Sequence, residues 1–287
     1  MPLITISDTS IPLTIMKVIR KKMTWVIFAL VALILVFVVK SPSNDANWQT
    51  QVKILPTISL DGDVIAIKNV RDFRYVDDGS IAHARYLDQE YQLSKFVQAW
   101  YGISHFGPHG LAHVFMSFEF SDDQFLVVSI EARLEEKQVK YSPLKGLARA
   151  YTKTIVLATE QDVIGLRTHI RREPVYLYKL EVPELYTKPL LLNFLREAQV
   201  LTREPTFYNT IADNCLTGLL AQSDQFRSVF SWMDTRILLP GNSDEIAYDL
   251  AYIDNSGSLE QIRERALIKA DLVNVADENF SRKIRAQ

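Results

Sequence analysis

The chain has 287 residues, 48 % of them apolar, with 32 Lys and Arg against 34 Asp and Glu for a net charge of −2. That size supports a sizeable core, and the absence of a basic excess argues against nucleic-acid binding. Its one cysteine, Cys215, excludes an internal disulfide.

Residues 1–22 read as a cytoplasmic N-terminal segment in which Lys17, Arg20, Lys21 and Lys22 lead into an apolar run, Met23 to Val39, closed by Lys40. Seventeen uncharged residues lie at the short end of what crosses a bilayer. Trp25 suits an interfacial anchor, and the basic flank orients the N-terminus toward the cytoplasm. The expectation is a single-pass inner-membrane anchor over 23–40, with the rest of the chain in the periplasm. A cleaved signal peptide competes, but Val38-Val39-Lys40-Ser41-Pro42 lacks the small residues of a cleavage site. Residues 41–52 are polar, contain Pro42 and read as a linker. Charge divides with this boundary: +4 over residues 1–40 and −6 beyond them.

Residues 53–287 read as one domain. Leu111 to Phe120 has strand character, Ser121 to Gln124 reads as a turn, and Phe125 to Arg133 as its hairpin partner. Thr154–Ala158 and Val175–Leu180 are further strands, rich in β-branched and aromatic residues. Pro183 to Leu201 has helical spacing, with Leu191, Leu192, Leu195 and Ala198 on one side. Asn214 can cap a helix running to about Gln222, and Leu259 to about Ala276 reads as another. The mixture is α+β, an antiparallel sheet with packed helices. Trp100, Trp232, Tyr176 and Tyr178 read as core residues. Lys137, Lys140 and Lys145 read as a solvated face.

Cys215 follows a polar, turn-like segment and opens an apolar one. A thiol at a helix N-terminus feels the positive end of the macrodipole, which favours the thiolate. A buried structural cysteine fits the same pattern. A lone thiol in an oxidising compartment is a liability unless it is buried or used. His113, on the strand at 111–120, titrates near neutrality and could be a general base or a hydrogen-bonded core residue. A third group normally orients such an imidazole, and Glu131 on the partner strand is the candidate. An odd-length loop between the strands puts Glu131 on the face of His113, and a two-residue turn puts it on the other. His105, His109 and His113 recur every four residues, but Gly107, Pro108 and Gly110 oppose a continuous helix. No acidic ligand or second cysteine completes a zinc set, so neither metal nor cofactor is expected, and His105 and His109 read as loop residues at the mouth of the site.

Several blocks, in order, carry a resemblance. They are Ala112-His113 to Phe120, Val128-Ser129-Ile130-Glu131-Ala132-Arg133, Gln161-Asp162-Val163-Ile164 with Leu166-Arg167, and Val175-Tyr176-Leu177-Tyr178. Pro205-Thr206-Phe207-Tyr208-Asn209-Thr210, Asn214-Cys215 and the closing Phe280 to Arg285 complete the set. Over roughly 65 to 287 the chain resembles the Lnb N-terminal periplasmic domain family, named for a bacterial lipoprotein intramolecular transacylase. The resemblance implies a permuted papain-like (NlpC/P60-like) fold and a cysteine-dependent site carried by Cys215 and His113. It further implies acyl transfer from the ester of an acylated lipoprotein or lipid at the membrane surface to an amine. The Cys215 N–H would hold the oxyanion, and Asn214, Asn209 or Tyr208 could add a donor or be a cap, a turn residue and a core tyrosine. Leu216 stands where the pattern has threonine, a change to the pocket wall. A cysteine peptidase or amidase on cell-envelope peptides and a non-catalytic binding domain are the alternatives.

Overall fold

The computed structural model describes residues 20–28, 41–211, 213–222 and 234–287. The chain divides into two compact units, residues 1–41 and 42–287. In the first, residues 20–28 are helical and exposed, with Trp25 edge-on to Phe28. No helix among the described residues is long and apolar enough to cross a membrane. This corrects the expectation of a transmembrane helix preceding the domain. Residues 1–19, and 29–40 of the expected span, lie outside the described residues, as does Trp232.

The second unit opens with residues that read as a linker but are docked. Asn44 Nδ2 donates to the Leu201 and Thr202 carbonyls, 2.8 and 3.0 Å away, at a helix end whose last carbonyls have no intrahelical partner. Trp48 is buried beneath the Arg133 guanidinium, 4.4 Å from its ring centre. A short helix, α1 (Thr50–Lys53), follows, and Arg133 donates to the Val52 and Lys53 carbonyls at its end.

The main sheet is built from β1 (Thr57–Asp61), β2 (Val64–Arg71), β5 (Tyr86–Gln92), β6 (Phe96–His105), β7 (Ala112–Phe120), β8 (Phe125–Arg133), β9 (Thr152–Ala158) and β10 (Val175–Lys179). Its order is β1-β2-β9-β8-β7-β6-β10, with β5 also on β2. A small ribbon of β3 (Arg74–Tyr75) and β4 (Ile81–His83) stands apart. The expected antiparallel sheet is mixed: β2 meets β9 in parallel at Arg71↔Ala158, and the other pairings are antiparallel. β9 is central and all seven of its residues are buried, as a strand covered on both faces requires.

Alternation along β7 separates two layers. Ala112, Val114, Met116, Phe118 and Phe120 belong to one core with Leu190, Leu191, Phe194 and Leu195 of α4 (Glu184–Arg203) and with Cys215, Leu216 and Leu219 of α5 (Cys215–Ala221). Phe115 belongs to the other, with Val127 and Val156, with Val163 and Ile164 of α3 (Glu160–Gly165), and with Phe280. The β7–β8 connection is the three-residue loop 121–123, closed by Phe120 N–H to the Gln124 carbonyl, with Asp123 at φ +62°. The helix expected from Leu259 to about Ala276 is shorter, Leu259–Ala266. Beyond it the chain extends, and Ile268 N–H donates to the Val175 carbonyl. That bond covers the edge of β10, an edge that would otherwise be open to other chains.

Candidate active site

Cys215 is the first residue of α5, and Asn214 caps it. The Asn214 side chain accepts from the Leu216 and Thr217 N–H groups at 2.8 and 2.9 Å, and Thr217 Oγ1 accepts from the Asn214 N–H. This reciprocal box satisfies helix-start donors that would otherwise be orphaned. Asn214 Nδ2 donates to the Thr210 carbonyl, so both ends of this amide serve the cap. Asn209 and Asp213 exchange backbone hydrogen bonds across the preceding loop, and Asn209 Oδ1 accepts from Ile211 N–H. Beneath the loop, buried Lys153 binds Asp213 at 2.6 Å and also Glu197.

The thiol is 6 % exposed. Burial pushes its pKa up, against the pull of the Val114, Leu216 and Cys215 N–H groups and of the Arg167 charge. The helix-start argument anticipates the opposite direction, and desolvation outweighs it. The Cys215 N–H meets the hydroxyl of Tyr208, a buried residue that also hydrogen-bonds Tyr141, and burial drives the Tyr208 hydroxyl well above its ordinary value. The Tyr141 hydroxyl reaches Thr210 Oγ1 at 2.9 Å.

His113 and Glu131 lie on the other face. The odd-length loop gives odd-numbered residues of β7 and β8 a common side, opposite to Val114 and Ile130, which pack with Cys215. His113 Nε2 is 2.7 Å from Ser129 Oγ, which in turn donates to Glu131 Oε1 at 3.0 Å. Ser129 therefore connects the two residues singled out from the sequence. Burial, with the charges of Arg167, Arg171 and Arg71 and against the opposing pull of Glu131, pushes His113 down to about 3. Glu131 is held below its usual range, because Arg71, His113, Arg167 and the Ser129 hydroxyl together outweigh its burial.

Paired residues of β7 and β8 run from Glu119↔Phe125 to Met116↔Val128, and just beyond that pair the Val114 N–H is directed at the Cys215 sulfur. Among the described residues no hydrogen bond joins Cys215 to His113. The Arg167 charge acts on both. Arg167 sits in a π turn (Leu166–Ile170) that continues α3. Such turns are uncommon and recur at functional sites. It donates to the Val163 carbonyl at 2.9 Å, approaches Glu131 at 3.8 Å and keeps a buried Nε without a partner among the described residues.

Sequence reasoning gave neither Ser129 nor Arg167 a role. Ser129 was detectable, standing two residues before Glu131 and so on the same face of a strand. The π turn has no such signal. His105 ends β6 with its ring edge-on to Tyr176, and burial lowers its pKa. His109 stands at φ +58° in the loop that follows. No trio of metal-ligating side chains is grouped among the described residues.

A small apolar cleft flanks α5 on the thiol's face of the sheet. Leu216, Leu219 and Leu220 line one wall, and Met116, Leu190 and Ile246 line others. Tyr101 and Ser243, hydrogen-bonded to each other at 2.6 Å, add hydroxyls.

Compared with known protein families, residues 82–241 match the Lnb N-terminal periplasmic domain. The chain belongs to this family. The matched stretch covers more than half of the chain and includes His113, Ser129, Glu131, Arg167, Tyr208 and Cys215. Membership fits a periplasmic, envelope-associated location for residues 42–287. No curated protein and no solved structure matches the chain.

Proposed function

We propose that the domain is a thiol-dependent acyltransferase acting on the acyl ester of a lipoprotein or lipid, with an amine as acceptor. The cleft carries this reading. A greasy wall begins at Leu216, one residue from the thiol, and is continued by Leu219 and Leu220 on the same helix. Such a lining suits a fatty chain, whereas cleavage of cell-envelope peptides calls for a polar groove. Family membership supports the envelope setting.

The chemistry has two halves. Cys215 gives its proton to His113 as sulfur bonds to the ester carbonyl carbon. The carbon–oxygen bond then breaks, the departing alcohol takes the proton, and an acyl thioester remains. The amine attacks the thioester, the carbon–sulfur bond breaks, and the proton lost by nitrogen returns to sulfur through His113. The Cys215 N–H donates to the Tyr208 hydroxyl at rest, and in the reaction that N–H would turn to the oxyanion with the hydroxyl as a second donor. Asn214, engaged as a cap, positions the helix start.

One observation favours the binding-domain alternative: the thiol is buried and its pKa is raised. A single experiment separates the two. The full chain is incubated with a diacylated lipopeptide whose ester-linked chain is isotopically labelled, and protein and peptide are weighed by mass spectrometry. Acyl transfer gives a hydroxylamine-labile acyl group on Cys215 and a peptide with an amide-linked label. In Cys215→Ser the rate drops at least about 10³-fold. Peptide bound by the wild type whose label stays hydroxylamine-labile and, by fragmentation, ester-linked would leave a binding domain.

A further inference from the structure

The His113–Ser129–Glu131 chain settles which nitrogen of His113 can act as a base. A serine hydroxyl has one proton and two lone pairs, and an ionised carboxylate only accepts. Glu131 is ionised, with the Arg167 guanidinium 3.8 Å away. The Ser129 proton is therefore committed to Glu131 at 3.0 Å. Ser129 Oγ then faces His113 Nε2, 2.7 Å away, as an acceptor. For that contact to be a hydrogen bond, Nε2 must carry the proton.

From this geometry we infer that Ser129 is a positioning residue: it holds His113 in the Nε2–H tautomer and makes Nδ1 the atom that takes the Cys215 proton. Glu131 thus acts on the imidazole through Ser129. When Nδ1 is protonated, the charge on the ring is answered along the Nε2–H to Ser129 to Glu131 line, a role that a serine bonded to the wrong nitrogen could not fill. The charged groups acting on His113 are Glu131 on β8, Arg167 and Arg171 on and after the π turn, and Arg71 on β2. The three cations disfavour imidazolium, so Glu131, relayed by Ser129, is the one carboxylate among them that favours it. The catalytic part of this inference rests on the acyltransferase reading, and the tautomer does not.

The test is nitrogen NMR of the full chain labelled at its histidine rings, with the His113 signal assigned by its loss in His113→Gln. The expected wild-type spectrum shows a protonated Nε2 coupled to a slowly exchanging hydrogen, and a bare Nδ1. In Ser129→Ala the protonated Nε2 signal gives way to a mixture of tautomers. In that variant kcat for acyl transfer falls roughly 10²-fold, the lower end of general acid–base contributions, with KM little changed. Ser129→Thr, which keeps the hydroxyl, restores both the spectrum and most of the rate. A wild-type His113 protonated on Nδ1 overturns the inference, and this reading needs no variant to fold. So does a Ser129→Ala protein with unchanged tautomer and unchanged kcat. An inert Cys215 beside an Nε2–H His113 would instead sink the acyltransferase reading and leave the tautomer assignment standing.

Discussion

The two faces of the sheet at the end of β7 could hardly differ more. On one, Cys215 lies among aliphatic side chains beside an apolar cleft. On the other, His113, Ser129, Glu131 and Arg167 form a polar chain with few contacts to spare. Each face holds its reactive group in the uncharged state: burial raises the thiol and lowers the imidazole. The resting site is therefore a neutral thiol and a neutral imidazole, unlike a thiolate–imidazolium pair formed in advance. The lesson is that the helix-start position of a cysteine does not by itself make a thiolate, since desolvation can exceed the macrodipole and the local N–H groups.

The thiol's face depends most on what holds the loop before Cys215 in place. Lys153 is 4 % exposed and joins Asp213, in the loop before Cys215, to Glu197 on α4. Lys153→Met leaves two carboxylates facing each other without their cation. Removing one partner of a buried pair costs about 3–5 kcal/mol, and because Asp213 and Glu197 are partly exposed the loss should lie near 3. Urea unfolding measures it. A loss under about 1 kcal/mol would show that the loop is held by its cap alone.

Filling the cleft sharpens the functional contrast. Ala247, on the helix Ser243–Asp249, lines it, and neither Cys215 nor His113 is among the lining residues. In Ala247→Trp, turnover of long-chain esters should fall roughly tenfold or more, the scale of lost pocket contacts, while acetyl esters react as before. Equal losses for both would mean that the cleft does not hold the chain.

The polar face has a pH signature. His113 titrates at about 3 in the folded protein against an ordinary 6.5. Above 6.5 it is neutral in both states and has no linkage effect. Between 6.5 and 3 the unfolded chain binds the proton and the folded one does not, so this residue lowers stability as pH falls. The slope approaches about 1.4 kcal/mol per pH unit. His113→Gln should therefore gain on the wild type between pH 7 and pH 5 in paired urea titrations. A constant difference would mean that His113 is freely protonated in the fold.

How much of this was legible in the sequence follows from how local each feature is. The start of α5 was readable because its cap is made by Asn214 and Thr217, within three residues of each other. The hairpin strands were readable from their alternation. The face occupied by Glu131 was not, because it turns on one residue: Asp123 adopts φ +62° and makes the loop odd-numbered. Arg167 depends on a π turn and on partners three dozen residues away. The docking of 42–53 depends on Arg133 and on the end of α4, which no local pattern in that polar stretch announces. The apolar run at 23–39 has membrane-like composition, yet no helix among the described residues is long and apolar enough to cross a membrane.

The smallest expected effect tests how closely α5 must sit on the sheet. A Cβ at Gly218 would fall 2.8 Å from Ile130 Cδ1 and 3.1 Å from Asp213 Oδ1. Alanine favours a helix over glycine by about 1 kcal/mol, while overpacking a close contact costs about 1–3. Ile130 Cδ1 is the end of a flexible side chain and can swing, but Asp213 is tied to Lys153 and cannot yield freely. Overpacking should therefore win by about 1 kcal/mol, and Gly218→Ala should unfold at lower urea. Because α5 must lift to make room, Cys215 should also react faster with a small thiol reagent. A variant that is more stable than wild type, with unchanged thiol reactivity, would show that the helix has slack against β8 and that burial of the thiol is set by the surrounding aliphatic residues.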